Sequence, residues 1–148
     1  MTTATSKTTS EAEIRELVNN RVASVHTKDI DKVMADHAPD ILLFDALVPL
    51  QYTGVEEARK RTAEWFGWYD GPIGYEIAEL NIKAGEDVAF CSYLYHVTGT
   101  MTNGNKVDMW VRTTLGCERS GGEWRVTHEH NSVPFDAETG KAGLDLKP

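Results

Sequence analysis

The second half of the chain is a succession of strand-like segments separated by turn signals, and this pattern restricts the possible folds most. Residues with a strand-like pattern occupy four segments, 75–83, 88–100, 106–119 and 124–132. Gly85, Asn103–Gly104 and Gly121 lie between them, and Asn and Gly tolerate the positive φ angles of tight hairpin turns. Consecutive strands joined by short turns pair in antiparallel fashion, so we expect a four-stranded meander.

The first half has helical periodicity instead. Residues 1–9 are almost entirely polar or small, and we expect a disordered leader there. Ser10 and Glu13 then form a capping-box pattern that predicts the start of the first helix. Apolar residues recur at helical spacing from Ile14 to Val25, and Arg21 lies on the same stripe, so its guanidinium begins on the buried side.

Two further helices and one strand complete the first half. A short helix is predicted over residues 30–37, with Asp29 as its cap and Pro39 ending it, followed by a strand over 41–45. A third helix is predicted over residues 55–69, and its aromatic stripe supplies Trp65 and Tyr69 as candidate ligand-binding residues.

This order of elements predicts one α+β domain over residues 10–135, in which three N-terminal helices pack in a strongly curved antiparallel sheet. A sheet bent in this way encloses a cavity. Residues 136–148 are polar and contain glycine, and we expect a loose C-terminal tail. The sequence has neither a long apolar run nor a signal-peptide pattern, which favours a cytoplasmic protein.

The charge of the chain argues against two classes of partner. Its formal net charge is −8 at pH 7, and its Lys and Arg residues are scattered. Nucleic acid and anionic membranes require a basic face, so neither is an expected partner. A small-molecule ligand is the expected partner instead, with no cofactor.

The last predicted strand carries the most informative polar residues. Strict alternation places Trp124, His128, His130 and Ser132 on one face, which grades from apolar to polar as a pocket wall does. A pair of histidines on one strand face also permits a metal site, although no further ligand with recognisable spacing stands out. Histidines that only hydrogen-bond within the sheet are the third interpretation.

Two more positions are candidates for chemistry. Arg112 lies in the middle of a strand beside Trp110 and either pairs with a nearby acid or points into the cavity to bind a carboxylate or a carbonyl. Asp45 ends an apolar strand, where desolvation raises the pKa of a carboxyl group toward the range of a general base. An ordinary turn aspartate is the alternative.

Residues 112–115 and 122–134 resemble the C-terminal signature of SnoaL-like proteins, in which a strand Arg is followed by Gly-x-Trp-Arg and His-x-His-x-Ser-x-Pro. Residues 21–31 and 52–58 are similar to further parts of the same superfamily. The resemblance implies the cystatin-like cone of ketosteroid isomerase and nuclear transport factor 2, and a homodimer formed through the outer face of the sheet.

The resemblance also implies roles for individual residues. Asp45 corresponds to the base of ketosteroid isomerase, whereas Arg21 and Arg112 occupy the neighbourhood of its two oxyanion donors. The implied function is proton transfer beside a carbonyl, of isomerase, cyclase or dehydratase type, on a small anionic ligand. The alternative is a non-catalytic assembly module, because residues 86–89 and the C-terminal signature also resemble the association domain of calcium/calmodulin-dependent protein kinase.

Overall fold

The structure is a computed structural model that describes residues 3–148, with side chains from residue 9 onward. It contains three helices and six strands within that range. The helices are α1 (Thr3–His26), α2 (Ile30–Met34) and α3 (Val55–Gly67), and the strands are β1 (His37–Phe44), β2 (Tyr52–Thr53), β3 (Tyr69–Ala84), β4 (Val88–Met101), β5 (Lys106–Ser120) and β6 (Glu123–Ser132). No helix in this part of the chain combines the length and apolar character needed to cross a membrane.

Helix α1 begins earlier than the sequence predicts. Its backbone is helical from Thr3, so the described part of the expected leader is helical, while residues 1 and 2 lie outside the described residues. Ser10 is therefore inside the helix and buried, and its hydroxyl accepts a hydrogen bond from Arg119 at 2.9 Å rather than capping the first turn. Glu13 forms an ion pair with the same arginine at 3.3 Å.

The segment after α2 is a strand rather than the end of a helix. The Asp29 side chain caps α2 as predicted, accepting from the backbone N–H of Lys32 at 3.1 Å. The helix ends at Met34, however, and Pro39 lies within β1. Between His37 and Leu42 the register of β1 against β6 is irregular, which accommodates a proline that has no N–H to give to the ladder.

All six strands belong to one curved, open sheet in the order β2-β1-β6-β5-β4-β3. Strands β3 to β6 form the predicted antiparallel meander, whereas β1 runs parallel to β6. The turn between β4 and β5 contains Gly104 at φ 88°, the conformation expected there. The predicted α+β class, with helices packed on a curved sheet, is confirmed.

The core lies between the helices and the inner face of the sheet. The largest of its fully buried side chains are aliphatic residues from α1 and four strands: Ile14, Val18, Ile41, Ile73, Leu115 and Val126. Beyond the sheet, Phe135 forms an isolated bridge with Ala142, and the N–H of Gly143 donates to the carbonyl of Pro134 at 2.7 Å.

A β-bulge in β6 determines which residues of that strand face inward. Cys117 of β5 lies opposite Val126, but Gly116 lies opposite His128, so Thr127 is an extra residue with no partner. One extra residue reverses the alternation of side chains beyond it. Trp124 and Val126 face inward as predicted, while Glu129 and Asn131, rather than the two histidines, face inward after the bulge.

We predict that Gly74→Ala destabilises the fold, because β3 and β4 approach closely there. A Cβ at Gly74 would lie 1.9 Å from Oγ1 of Thr98 and 3.2 Å from its backbone carbonyl oxygen. The side-chain and backbone shifts needed to relieve this overlap should lower the free energy of unfolding by about 1–3 kcal/mol, as measured by urea denaturation. The matched control is Gly67→Ala, where nothing lies within 4 Å of the added carbon. Equal stability of the two variants would contradict the prediction.

Candidate functional site

A cavity of about 790 Å³ opens between the inner face of the sheet and helices α1 and α3. One side is aromatic and apolar, and it is lined by Trp65, Trp68, Tyr69, Val97, Met101, Val107 and Met109. The other side is polar and carries Arg21, His37, Asp45, Glu129 and Asn131. The cavity therefore pairs a large apolar surface with a few converging polar groups, as small-molecule sites do.

Four of the nine predicted site residues line this cavity: Arg21, Asp45, Trp65 and Tyr69. The other five lie on the opposite, outer face of the sheet, and they are Trp110, Arg112, His128, His130 and Ser132. The three β6 residues, His128, His130 and Ser132, face outward because the bulge at Thr127 reverses the strict alternation from which they were predicted. The expected pocket wall of histidines is therefore corrected to a pocket wall of Glu129 and Asn131.

Arg112 and Trp110 face outward because their neighbours Val111 and Met109 face the cavity. The guanidinium of Arg112 is exposed and its Nε donates to the hydroxyl of Ser132 at 3.1 Å. The ring of Trp110 stacks on His96 with centroids 4.7 Å apart, and Nε2 of His96 is 2.6 Å from Asp108. These contacts form a polar and aromatic surface on the outside of the sheet.

At the polar side of the cavity, Arg21 forms two ion pairs. Its Nη2 is 2.5 Å from Oε1 of Glu129 and its Nε is 3.3 Å from Oδ2 of Asp36. The side chains of all three residues are at most 15% exposed. A buried guanidinium requires such compensation, and here two carboxylates provide it.

The charge on Glu129 is stabilised by the same contacts. Burial alone would raise the pKa of this carboxyl group, but the charge of Arg21, with smaller effects of His37 and hydrogen bonds from Arg21 and Asn131, lowers it to about 2. The second oxygen of Glu129 accepts from the amide of Asn131 at 2.8 Å. Glu129 is therefore a fixed anion that is already paired, which suits a structural charge better than a base that must accept a proton.

Asp45 has a different environment. Its side chain is half-buried, and its carboxylate accepts the backbone N–H of Ala46 at 2.7 Å. Burial raises the pKa of Asp45, the Ala46 hydrogen bond opposes this rise, and the negative charge of Glu129 adds to it. The Asn131 side chain and the charge of Arg61 have smaller lowering effects on this pKa. In the described part of the chain no ion pair holds the Asp45 carboxylate.

Three further tyrosines, Tyr52, Tyr75 and Tyr95, line the cavity. Tyr75 and Tyr95 stack with centroids 4.7 Å apart, and Tyr52 lies under the guanidinium of Arg61 at 4.5 Å. Burial raises the pKa of all three hydroxyl groups, and the nearby carboxylates Asp45 and Glu129 raise that of Tyr52 further. These hydroxyls are therefore neutral at physiological pH.

The metal interpretation of His128 and His130 finds no third ligand. Their ring centroids are 6.4 Å apart, and Nδ1 of His128 is 2.9 Å from the carbonyl oxygen of Leu42. Across the described residues, no group of three or more His, Cys, Asp or Glu side chains is placed to hold an ion.

Sequence reasoning missed several residues of this cavity. Strict alternation puts Glu129 and Asn131 on the other face of β6, and the helix predicted over 30–37 puts His37 at its end. Tyr75 and Tyr95 lie on two of the predicted strands. Tyr95 is two positions before the apolar Val97 and Tyr75 lies opposite Val97, so alternation of side chains places both tyrosines on the face of Val97. The bulge at Thr127 left no such signal in the sequence.

A curved sheet with helices packed on it and a cavity on its inner face is the architecture of an NTF2-like protein. Residues 14–136 match the SnoaL-like domain, so the chain belongs to the SnoaL-like domain family. Among curated proteins, none matches the chain.

Three solved structures illustrate the relationship. An NTF2-like protein of unknown function from Pseudomonas putida KT2440 is 37% identical over 95% of this chain and 98% of its own, with a TM-score of 0.88. A hexachlorocyclohexane dehydrochlorinase (LinA) type 2 is 17% identical over 95% of both chains, with a TM-score of 0.76. A ketosteroid isomerase-like protein from Erwinia carotovora atroseptica SCRI1043 is 21% identical over 82% of this chain and 94% of its own, with a TM-score of 0.71. The last two share the fold.

We predict that Glu129→Gln destabilises the protein and changes how its stability depends on pH. The pKa of Glu129 falls from an ordinary 4.5 to about 2 on folding, so its charge stabilises the fold above pH 4.5 and this contribution is lost as the pH falls toward 2. At neutral pH the variant should lose about 3 kcal/mol in free energy of unfolding. Between pH 5 and 2.5 its stability should fall less steeply than that of the wild type.

Urea denaturation across this pH range measures both effects. Glu118→Gln, an exposed glutamate on the outer face of the neighbouring strand, is the matched control. Parallel pH profiles for Glu129→Gln and the wild type would contradict the assignment of the low pKa to Glu129.

Proposed function

We propose that the cavity binds a small neutral ring compound and that Asp45 removes and returns a proton at a carbon beside a carbonyl group. The observation that carries this proposal is the half-buried carboxylate of Asp45 at the wall of the cavity, which hydrogen-bonds but belongs to no ion pair among the described residues. Its raised pKa brings it nearer to the range in which a carboxylate accepts a proton from carbon and releases it again. An isomerase or lyase would use this chemistry.

The arginines favour a neutral ligand rather than the anionic ligand expected from the sequence. That expectation depended on two free arginines in the cavity. Arg112 is on the outer face, Arg21 is paired with two carboxylates, and the second cavity arginine, Arg61, is paired with Glu57 at 3.2 Å. A ligand carboxylate would have to compete with these pairs while lying near Asp45 and Glu129.

The size and walls of the cavity favour a ring. A volume of about 790 Å³ is within the usual range for sites of drug-sized ligands. Trp65 and Tyr69 present an edge-to-face pair with centroids 6.0 Å apart on the apolar side. A flat ligand would stack or pack edge-on against such rings. Two structural neighbours, named as a dehydrochlorinase and an isomerase-like protein, are in line with chemistry at a carbon–hydrogen bond.

The test uses 2-tetralone, a neutral bicyclic ketone with acidic hydrogens beside its carbonyl. Exchange of these hydrogens in D₂O is followed by proton NMR with and without the protein. We predict that the wild type accelerates exchange and that Asp45→Asn lowers the acceleration by about 100-fold or more, because an amide cannot act as the base.

Asp40→Asn is the matched control, since Asp40 is an exposed aspartate in β1, the strand that ends just before Asp45. It should exchange 2-tetralone as the wild type does. Acceleration that persists in Asp45→Asn would contradict the assignment of the base, and the absence of acceleration by the wild type would contradict proton transfer on such ketones.

We also propose that two copies pair through the outer face of the sheet. Trp110, Leu94 and Arg112 lie together there, since Leu94 is the cross-strand partner of Arg112, and the exposed Phe90 extends the surface. Half-exposed aromatic and Arg residues are the types enriched at the centre of interfaces.

Sedimentation analysis of the full chain tests this proposal. We predict a dimer for the wild type and a monomer for Trp110→Glu, because a carboxylate at the centre of the interface would be buried without a partner. Lys60→Glu, an exposed substitution on α3, should leave the dimer intact. A wild-type monomer would contradict the proposal, and a larger ring would favour an assembly module.

A further inference from the structure

His37 is a buried imidazole that lines the same cavity and that the function above does not use. Its side chain is 3% exposed, and it lies at the first position of β1. The register of β1 against β6 is irregular beyond it: five positions along β1, from His37 to Leu42, accompany two along β6. Residues near both ends of β1, His37 and Leu43, therefore line one cavity.

The hydrogen bonds of His37 fix the roles of its two ring nitrogens. Nδ1 lies 2.8 Å from Oδ1 of Asp36, and a carboxylate accepts, so Nδ1 carries a proton. The other oxygen of Asp36 pairs with Nε of Arg21 at 3.3 Å, which holds the carboxylate in place. Within the described part of the chain, Nε2 of His37 makes no hydrogen bond. A carboxylate that orients an imidazole whose second nitrogen is unoccupied is the arrangement of an acid–base group.

We propose that the Asp36–His37 pair is a second acid–base group of the cavity, which exchanges a proton with the oxygen of the ligand while Asp45 acts on its carbon. This inference rests on the proposed function. The charged groups around His37 are Asp36 beside it, Arg21 from α1 and Glu129 from β6, and the positive charge of Arg21 is matched by the two carboxylates.

The proton balance of the step is simple. The Asp45 carboxylate takes a proton from the carbon beside the carbonyl, and the electron pair of that bond forms the new carbon–carbon double bond. The π pair of the carbonyl moves to oxygen, which receives the proton from Nε2 of the His37 imidazolium. An enol, a neutral imidazole and a protonated Asp45 result. The reverse transfers at the same or another carbon restore both groups.

The experiment compares 2-naphthol with naphthalene, because 2-naphthol is a stable counterpart of the enol of 2-tetralone and naphthalene lacks its oxygen. Binding of each is measured by quenching of tryptophan fluorescence. We expect His37→Gln to weaken 2-naphthol binding by about 10-fold while leaving naphthalene binding unchanged, since only the oxygen contact is altered. His130→Gln, an exposed histidine on the outer face, should change neither affinity.

A second measurement needs no substitution. In the wild-type protein, the Nε2 resonance of His37 should shift with 2-naphthol and stay unchanged with naphthalene, followed by nitrogen NMR of the imidazole rings. Equal weakening of both probes in His37→Gln would show a structural role and overturn the inference, as would unchanged 2-naphthol binding or an unshifted resonance. The proposed function is tested separately, by the 2-tetralone exchange of the wild type and Asp45→Asn. Failure of the His37 inference can therefore be distinguished from failure of the proposed function.

Discussion

The buried cation of Arg21 is the interaction on which the arrangement of the site depends. A guanidinium with so little exposure is stable only beside anions, and the two that it uses come from different elements, Asp36 before β1 and Glu129 in β6. These two ion pairs fix the rotation of helix α1 about its axis and its position along the sheet. The same contacts neutralise the positive charge, so the polar side of the cavity is organised without offering a free cation.

This neutralisation separates the two carboxylates that line the cavity. Glu129 and Asp45 lie in one low-dielectric space, yet the pKa of one is lowered and that of the other is raised. The difference has a simple cause: Glu129 forms an ion pair with Arg21, whereas for Asp45 the effect of burial exceeds the opposing effects of the Ala46 N–H, the Asn131 side chain and the more weakly acting charge of Arg61. Two groups whose environments push their pKa values apart are the usual sign of different roles, and here one carboxylate is held in an ion pair while the other has no ion-pair partner among the described residues.

Most of the fold was predictable because its signals are local. The Asn103–Gly104 turn, the Asp29 cap and the stripe from Ile14 to Val25 each depend on a few neighbouring residues. The errors arose where a long-range contact decides the outcome. Ser10 resembles a cap in sequence, but Arg119, far along the chain, takes its hydroxyl. The segment around Pro39 resembles the end of a helix, but pairing with β6 makes it a strand.

The site was predictable only in part for the same reason. Arg21 and Trp65 follow from helical periodicity and Asp45 from its place after an apolar strand, and all three line the cavity. Tyr69 also lines it, but from the first position of β3, since the predicted helix over 55–69 ends at Gly67. Which residues of β6 face the cavity depends on the bulge at Thr127. Pairing with β5 creates this bulge, and the pattern of polar and apolar residues does not reveal it.

Beyond that bulge, the alternation of β6 places neighbouring residues on opposite sides of the sheet. His130 and Asn131 are joined by a peptide bond, yet one meets whatever approaches the molecule from outside and the other meets only what enters it. A wall one sheet thick separates the outer surface from the cavity. Each surface is therefore free to acquire new chemistry while the residue beside it in the chain stays the same.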